Sequence, residues 1–97
     1  MLIASGAPAW TELQGQYLAF IHAYTMVLGR PPAEADIRRH FGVTPPTVHQ
    51  MILGLETAGW ISRQARAARS IRVLVEPALL PTLQPPRQPI KTTVPGY

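Results

Sequence analysis

Four arginines, Arg63, Arg66, Arg69 and Arg72, recur at every third position of "ISRQARAARSIRV", with no acid among them. A guanidinium is planar, permanently charged and able to hold phosphate oxygens through two parallel N–H groups. Such a run is therefore suited to a polyanion. What it does depends on backbone shape. A helix would spread the four around its circumference as a basic face, whereas a hairpin would divide them between two strands and a tip. "RQARAAR" alone favours helix, since alanine, glutamine and arginine are all good helix formers. Gly59 before it and the alternation Ile71, Arg72, Val73, Leu74, Val75 after it favour a hairpin with one buried face. On that reading Arg66 and Arg69 lie at the turn, free for a phosphate or a minor groove. Arg72 faces outward, and Arg63 sits on a strand.

No other set of residues promises chemistry. His22, His40 and His49 fall on separate segments without metal-ligand spacing. Glu12, Glu34, Asp36 and Glu56 form no carboxylate pair, and three of them suit helix termini. Ser5, Ser62 and Ser70 have no evident base nearby. With no cysteine, neither a disulfide nor a thiolate metal site is available. The chain is expected to be no enzyme, and no metal, cofactor or small-molecule ligand is expected.

The 97 residues allow one modest domain, and an apolar content of 46% suits a folded soluble protein. No apolar run approaches the roughly 20 residues of a membrane span. "MLIASGAPAW" lacks the basic start of a signal peptide, and a cytoplasmic location is expected. The net charge of +4 is unevenly spread. Four acids stand against three arginines between Glu12 and Glu56, whereas 57–75 holds four arginines and no acid. Charge localised this way points to an anionic partner such as nucleic acid.

Three helices must position these groups. "TELQ" is a capping box with Thr11 as N-cap, and Leu13, Tyr17, Phe20, Ile21, Tyr24 and Leu28 form an apolar stripe ended by Gly29 and Pro31-Pro32. "AEADIRRHF", 33–41, has Glu34 and Asp36 in its first turn and Arg38 and Arg39 in its last, as the helix dipole favours, with Ile37 and Phe41 buried. Thr44 as N-cap and Pro45 in the first turn open the third helix, whose inward stripe is Val48, Met51, Ile52 and Leu55. Two short strands follow. The expected fold is mainly α with a small β-hairpin, a three-helix winged helix-turn-helix. It occupies 11–76, between a flexible lead, 1–10, and a proline-rich tail, 77–97, expected to be extended or disordered. That tail holds six prolines in 21 residues.

With these elements placed, the chain resembles the N-terminal DNA-binding domain of LexA-type repressors. "TELQGQYLAFI" is similar to that family's first helix, and "GRPPAEADIRRHFGV" to its Gly-x-Pro-Pro loop and first helix of the helix-turn-helix. "TVHQMILGLETAGWI" resembles the recognition helix with its Leu-Glu-x-x-Gly-x-Ile exit, and "RSIRVL" the second wing strand. The turn "GVTPPTVH" is a residue shorter than the usual family form, and the wing tip has no glycine. The family's self-cleavage uses a serine and a lysine. Here the only lysine is Lys91, in the tail, so autocleavage is not expected.

The resemblance implies double-stranded DNA as partner, bound in a sequence-specific way by a small prokaryotic or phage transcriptional regulator. The start of the third helix would enter the major groove. With Val48 at the inward centre, Pro46, Gln50, Leu53 and Gly54 face outward, flanked by Thr47 and His49. Gln50 can bond adenine bidentately, and Thr47 can reach a base or phosphate. The expected DNA-binding set is Thr44, Pro46, Thr47, His49 and Gln50, with Arg39, Arg66 and Arg69 on the backbone or minor groove. A module this small buries little interface with DNA, so a homodimer on a paired site is expected. The alternative is a winged-helix protein-interaction module, for which an outward Leu53 would be a contact.

Overall fold

The structure, a computed structural model, describes residues 9–85. Among these the order is α1 (Glu12–Leu28), α2 (Glu34–Phe41), α3 (Pro45–Thr57), β1 (Ile61–Ser62), β2 (Arg72–Val73) and one 3-10 turn (Pro77–Leu79). Three helices and a two-stranded antiparallel hairpin make a mainly helical fold compatible with a winged helix-turn-helix.

Each helix begins and ends where local chemistry requires. At α1 the Thr11 side chain accepts the Gln14 N–H at 3.1 Å while Gln14 Oε1 accepts the Thr11 N–H at 2.8 Å. These bonds satisfy donors that the first turn would otherwise leave open. Ala33 before α2 has no capping oxygen, and Asp36 reaches back to accept its N–H at 2.8 Å. Gly29 and Gly42 close α1 and α2 with φ of 76° and 66°, a left-handed conformation that costs glycine nothing. Only Gly42, Val43 and Thr44 separate α2 from α3, and Thr44 caps α3 by accepting the Thr47 N–H.

The core is one cluster to which the three helices and the hairpin contribute: Tyr17, Leu18 and Ile21 from α1, Ile37 and Phe41 from α2, Val48, Ile52 and Leu55 from α3, and Ile61 and Ile71 from the hairpin. Tyr17 and Phe41 stack with centroids 4.1 Å apart. Withdrawing a side chain of this size from water contributes roughly 1.5–3 kcal/mol. Met51 and Trp60 pack against the same cluster.

The stripe expected on α1 is displaced. Leu13 and Leu28 are exposed, whereas Gly15, Leu18 and Ala19 are buried. The reason is that α1 is covered on two sides. Trp10 and the chain after β2 lie along its first half, and its last turn projects beyond the other helices, leaving Met26, Val27 and Leu28 at 70%, 80% and 55% exposure.

Both termini of the expected domain need amendment within the described residues. Trp10, assigned to a flexible lead, packs edge-on against Trp60 at 5.5 Å. Regular structure was not expected from Pro77, yet Pro77–Leu79 forms a 3-10 turn. The segment to Pro85 is then tied to α1: Gln16 Nε2 donates to the Thr82 carbonyl at 2.9 Å, and Gln16 Oε1 accepts the Gln84 N–H at 2.8 Å. Proline excludes helix and sheet here but leaves an extended strap free to dock. Residues 1–8 and 86–97, with Lys91 and Arg87, lie outside the described residues.

Candidate nucleic-acid interface

The third helix divides cleanly into two faces. Val48, Ile52 and Leu55 are fully buried and fix the helix against the core. Thr44, Pro46, Thr47, His49, Gln50 and Gly54 are exposed. The Thr44 and Thr47 hydroxyls lie 2.9 Å apart, so each can still turn a lone pair or proton outward. Among the described residues no hydrogen bond engages the Gln50 side-chain amide. Leu53, expected to point outward, is half-buried, which removes it as a free apolar contact. His49 is less free than its neighbours, since its Nδ1 lies 3.4 Å from Glu34 Oε2 on α2.

The hairpin is short. Its ladder consists of Ile61 opposite Val73 and Ser62 opposite Arg72, extended by the Leu74 N–H donating to the Trp60 carbonyl at 2.8 Å. Burial alternates as expected, with Ile71 buried, Val73 and Val75 half-buried, and Arg72 and Leu74 exposed. The loop between the strands is braced by Ser70, whose hydroxyl accepts the Gln64 N–H at 2.9 Å and lies within 3.1 Å of the Gln64 carbonyl. Arg66 and Arg69 have φ of 67° and 57°. Two non-glycine residues thus make the left-handed turns for which a glycine was missed in the sequence.

The four arginines have four different fates. Arg66 and Arg72 are exposed and form no ion pair among the described residues. Arg63 pairs with Glu56 at 3.1 Å, which fixes it along α3. Arg69, expected as a free phosphate contact at the tip, is turned inward: its Nη1 donates to Asp36 Oδ2 at 3.1 Å, to the Tyr24 hydroxyl at 3.1 Å and to the Pro31 carbonyl at 3.3 Å. The expectation is corrected because three acceptors from three segments outcompete water for one guanidinium. Arg39 also pairs with Asp36, at 2.6 Å, but keeps 64% of its side chain exposed and can exchange that partner for a phosphate.

Asp36 is therefore the electrostatic centre of this side of the molecule. Its carboxyl is held below the usual carboxylate range, first by the Ala33 N–H and then by Tyr24, Arg69 and Arg39. Reciprocally, Tyr24 and then Asp36 raise Arg69 above its ordinary value. Sequence reasoning assigned Asp36 to the helix dipole and Tyr24 to an apolar stripe. It missed the cluster because Arg69 lies 33 and 45 residues away from these partners along the chain. The signal available was a first turn with two acids, Glu34 and Asp36, alongside an acid-free arginine run later in the chain.

Glu34 joins the wing to the third helix. It contacts His49, and it lines a shallow hollow together with Arg63, Gln64 and Arg66. Glu34 thus contacts the start of α3 through His49 and shares a hollow with the wing residue Arg66. Among the described residues no group of three His, Cys, Asp or Glu could hold a metal ion, and no helix is long and apolar enough to cross a membrane.

No protein-family model matches the chain. Among curated proteins, the LexA repressor of Thermosipho africanus is 37% identical over 67 residues, 69% of this chain and 34% of the relative. That of Thermosipho melanesiensis is 38% identical over 64 residues, 66% of this chain and 32% of the relative. The LexA repressor of Pseudothermotoga lettingae is 39% identical over 64 residues, with the same shares. The chain spans about a third of the length of these relatives, a share consistent with an N-terminal DNA-binding domain. Over about two thirds of its length, the chain is similar to the LexA repressors.

Proposed function

We propose that this protein binds double-stranded DNA in a sequence-specific way and regulates transcription, as a repressor or related regulator of a bacterium, phage or mobile element. The observation that carries the reading is the exposed polar start of α3, Thr44, Thr47 and Gln50, rigidly backed by the buried Val48, Ile52 and Leu55 in a segment homologous to LexA repressors. Gln50 and Thr47 read base edges in the major groove, and Pro46 fits the groove wall beside them. Arg66 and Arg39 supply charge on the phosphates, with the salt dependence this entails. His49 contributes where it can leave Glu34. Arg69 acts indirectly. The protein binds as a homodimer on a paired site, which enlarges an interface that one small module makes too small.

Electrophoretic mobility shifts on fragmented genomic DNA test this. A preferred fragment is expected, lost or changed by Gln50→Ala at a cost of about 1–3 kcal/mol in discrimination. Arg66→Ala is expected to weaken all fragments alike and to reduce the slope of log K against log salt by about 0.9. No retardation at low salt overturns the proposal.

A second reading, a winged-helix module that binds protein rather than DNA, is favoured by one observation, the exposed Met26, Val27 and Leu28 at the end of α1. It predicts no retardation of any fragment.

A further inference from the structure

A hairpin with a two-pair ladder does not by itself hold a loop of nine residues, 63–71, in one shape. The wing is nevertheless folded over two left-handed arginines, a conformation uncommon outside glycine. What it lacks in strand pairing is supplied at Arg69. The single nitrogen Nη1 has two hydrogens for three acceptors, which come from α1 (Tyr24), the loop after it (Pro31) and α2 (Asp36). The Asp36 side chain is 13% exposed, so water competes poorly for it, whereas Arg69 keeps 34% of its side chain exposed and is held by the number of its acceptors. Asp36 is itself fixed, because it also accepts the Ala33 N–H at 2.8 Å. Arg66, three residues before Arg69, carries on the same loop an exposed guanidinium with no ion pair among the described residues.

We propose that Asp36 and Tyr24 are positioning residues for DNA binding: by gripping the Arg69 guanidinium they set the wing loop in the shape that presents Arg66 to the phosphate backbone. Neither touches the nucleic acid. This inference rests on the DNA-binding reading above. It divides the basic run into an anchor, Arg69, and a contact, Arg66. Arg39 shares the anchor's acid and is mostly exposed, so it can move to a phosphate while Arg69 keeps the wing in place.

The electrostatics make the test sharp. Asp36→Asn removes a negative charge, which on its own strengthens binding to a polyanion; the one oxygen that asparagine keeps for the Ala33 N–H is the oxygen Arg69 also uses, so the grip on Arg69 loses its charge while the local cap survives. The proposal predicts the opposite. Asp36→Asn and Tyr24→Phe weaken binding to all duplexes alike, lower the salt slope by about 0.9 as the Arg66 contact is lost, and leave base preference unchanged. Arg66→Ala then has a reduced effect in the Asp36→Asn background and little or none when Tyr24→Phe is added to it. Affinity increased by Asp36→Asn, with the salt slope kept and the full Arg66→Ala effect retained, overturns the proposal. Hydrogen exchange without DNA separates this from failure of the DNA-binding reading. Amides of 64–69 are expected to exchange faster in Asp36→Asn and Tyr24→Phe while those of α3 do not. Unchanged wing exchange overturns the clamp whether or not any duplex binds.

Discussion

Gly15 and Gly54 sit inside helices, and the same substitution at the two is expected to have opposite effects. Replacing glycine by alanine within a helix stabilises it by about 0.8–1 kcal/mol, since alanine loses less backbone freedom. At Gly54 a new Cβ meets nothing within 4 Å, so Gly54→Ala should raise stability by roughly that amount. At Gly15 the Cβ would lie 2.9 Å from Trp10 Nε1, 3.0 Å from Trp10 Cδ1 and 3.1 Å from Pro81 Cγ. Neither neighbour yields easily. The Trp10 ring stands against Trp60, and the strap carrying Pro81 is pinned by the two Gln16 bonds. Overpacking of this kind costs about 1–3 kcal/mol, which exceeds the helix gain and leaves a net loss of about 1 kcal/mol. In a domain of this size that lowers Tm by about 4–8 °C, while Gly54→Ala raises it by a similar amount. Thermal melts followed by helical circular dichroism compare the pair directly. Trp10→Ala removes the tightest contacts, so in that background Gly15→Ala should lose most of its penalty. Equal stabilisation by both alanines would refute the docking of Trp10 and the strap on α1.

Three further outcomes follow from the packing and the titrating groups. Ile52→Ala, at a fully buried position on α3, should cost about 2–5 kcal/mol in urea unfolding and so unfold much of the protein. Burial against Phe20 and Phe41 lowers the pKa of His40. The unfolded chain therefore binds the proton more readily, and stability falls as pH drops from about 6.5 through the folded value. His40→Leu should abolish that part of the slope. Asp36 is likewise depressed below its ordinary 3.8. Its stabilising effect is complete above that pH and is lost as pH falls through the lower folded value, a transition absent in Asp36→Asn.

Local signals carried most of the fold. The capping box at Thr11, the glycines at 29 and 42 and the Thr44-Pro45 start act within a few residues of themselves, so their consequences could be derived from the sequence. The inward stripe of α3 was legible for the same reason, and with it the exposed set Thr44, Thr47 and Gln50. What depended on distant partners was not. Leu18 is buried in the core cluster and Gly15 lies against Pro81 because the chain from Pro77 to Pro85 returns along α1, which no periodicity within α1 reports. Arg66 and Arg69 are alike in type and local setting, yet among the described residues one has no ion-pair partner and the other is held by Asp36 and Tyr24. The three-residue spacing of the arginines has no structural meaning, since their roles are set by what the fold places opposite each.

The central claim is that the start of α3 and the wing tip form one DNA-binding face. Nuclear magnetic resonance of the isotopically labelled protein, titrated with a duplex selected from a random pool, tests it most directly. The account predicts amide shifts concentrated at 44–50 and around Arg66 and Arg39, with Met26–Leu28 and the strap unmoved. Shifts centred on Met26–Leu28, or no selected duplex at all, would contradict it.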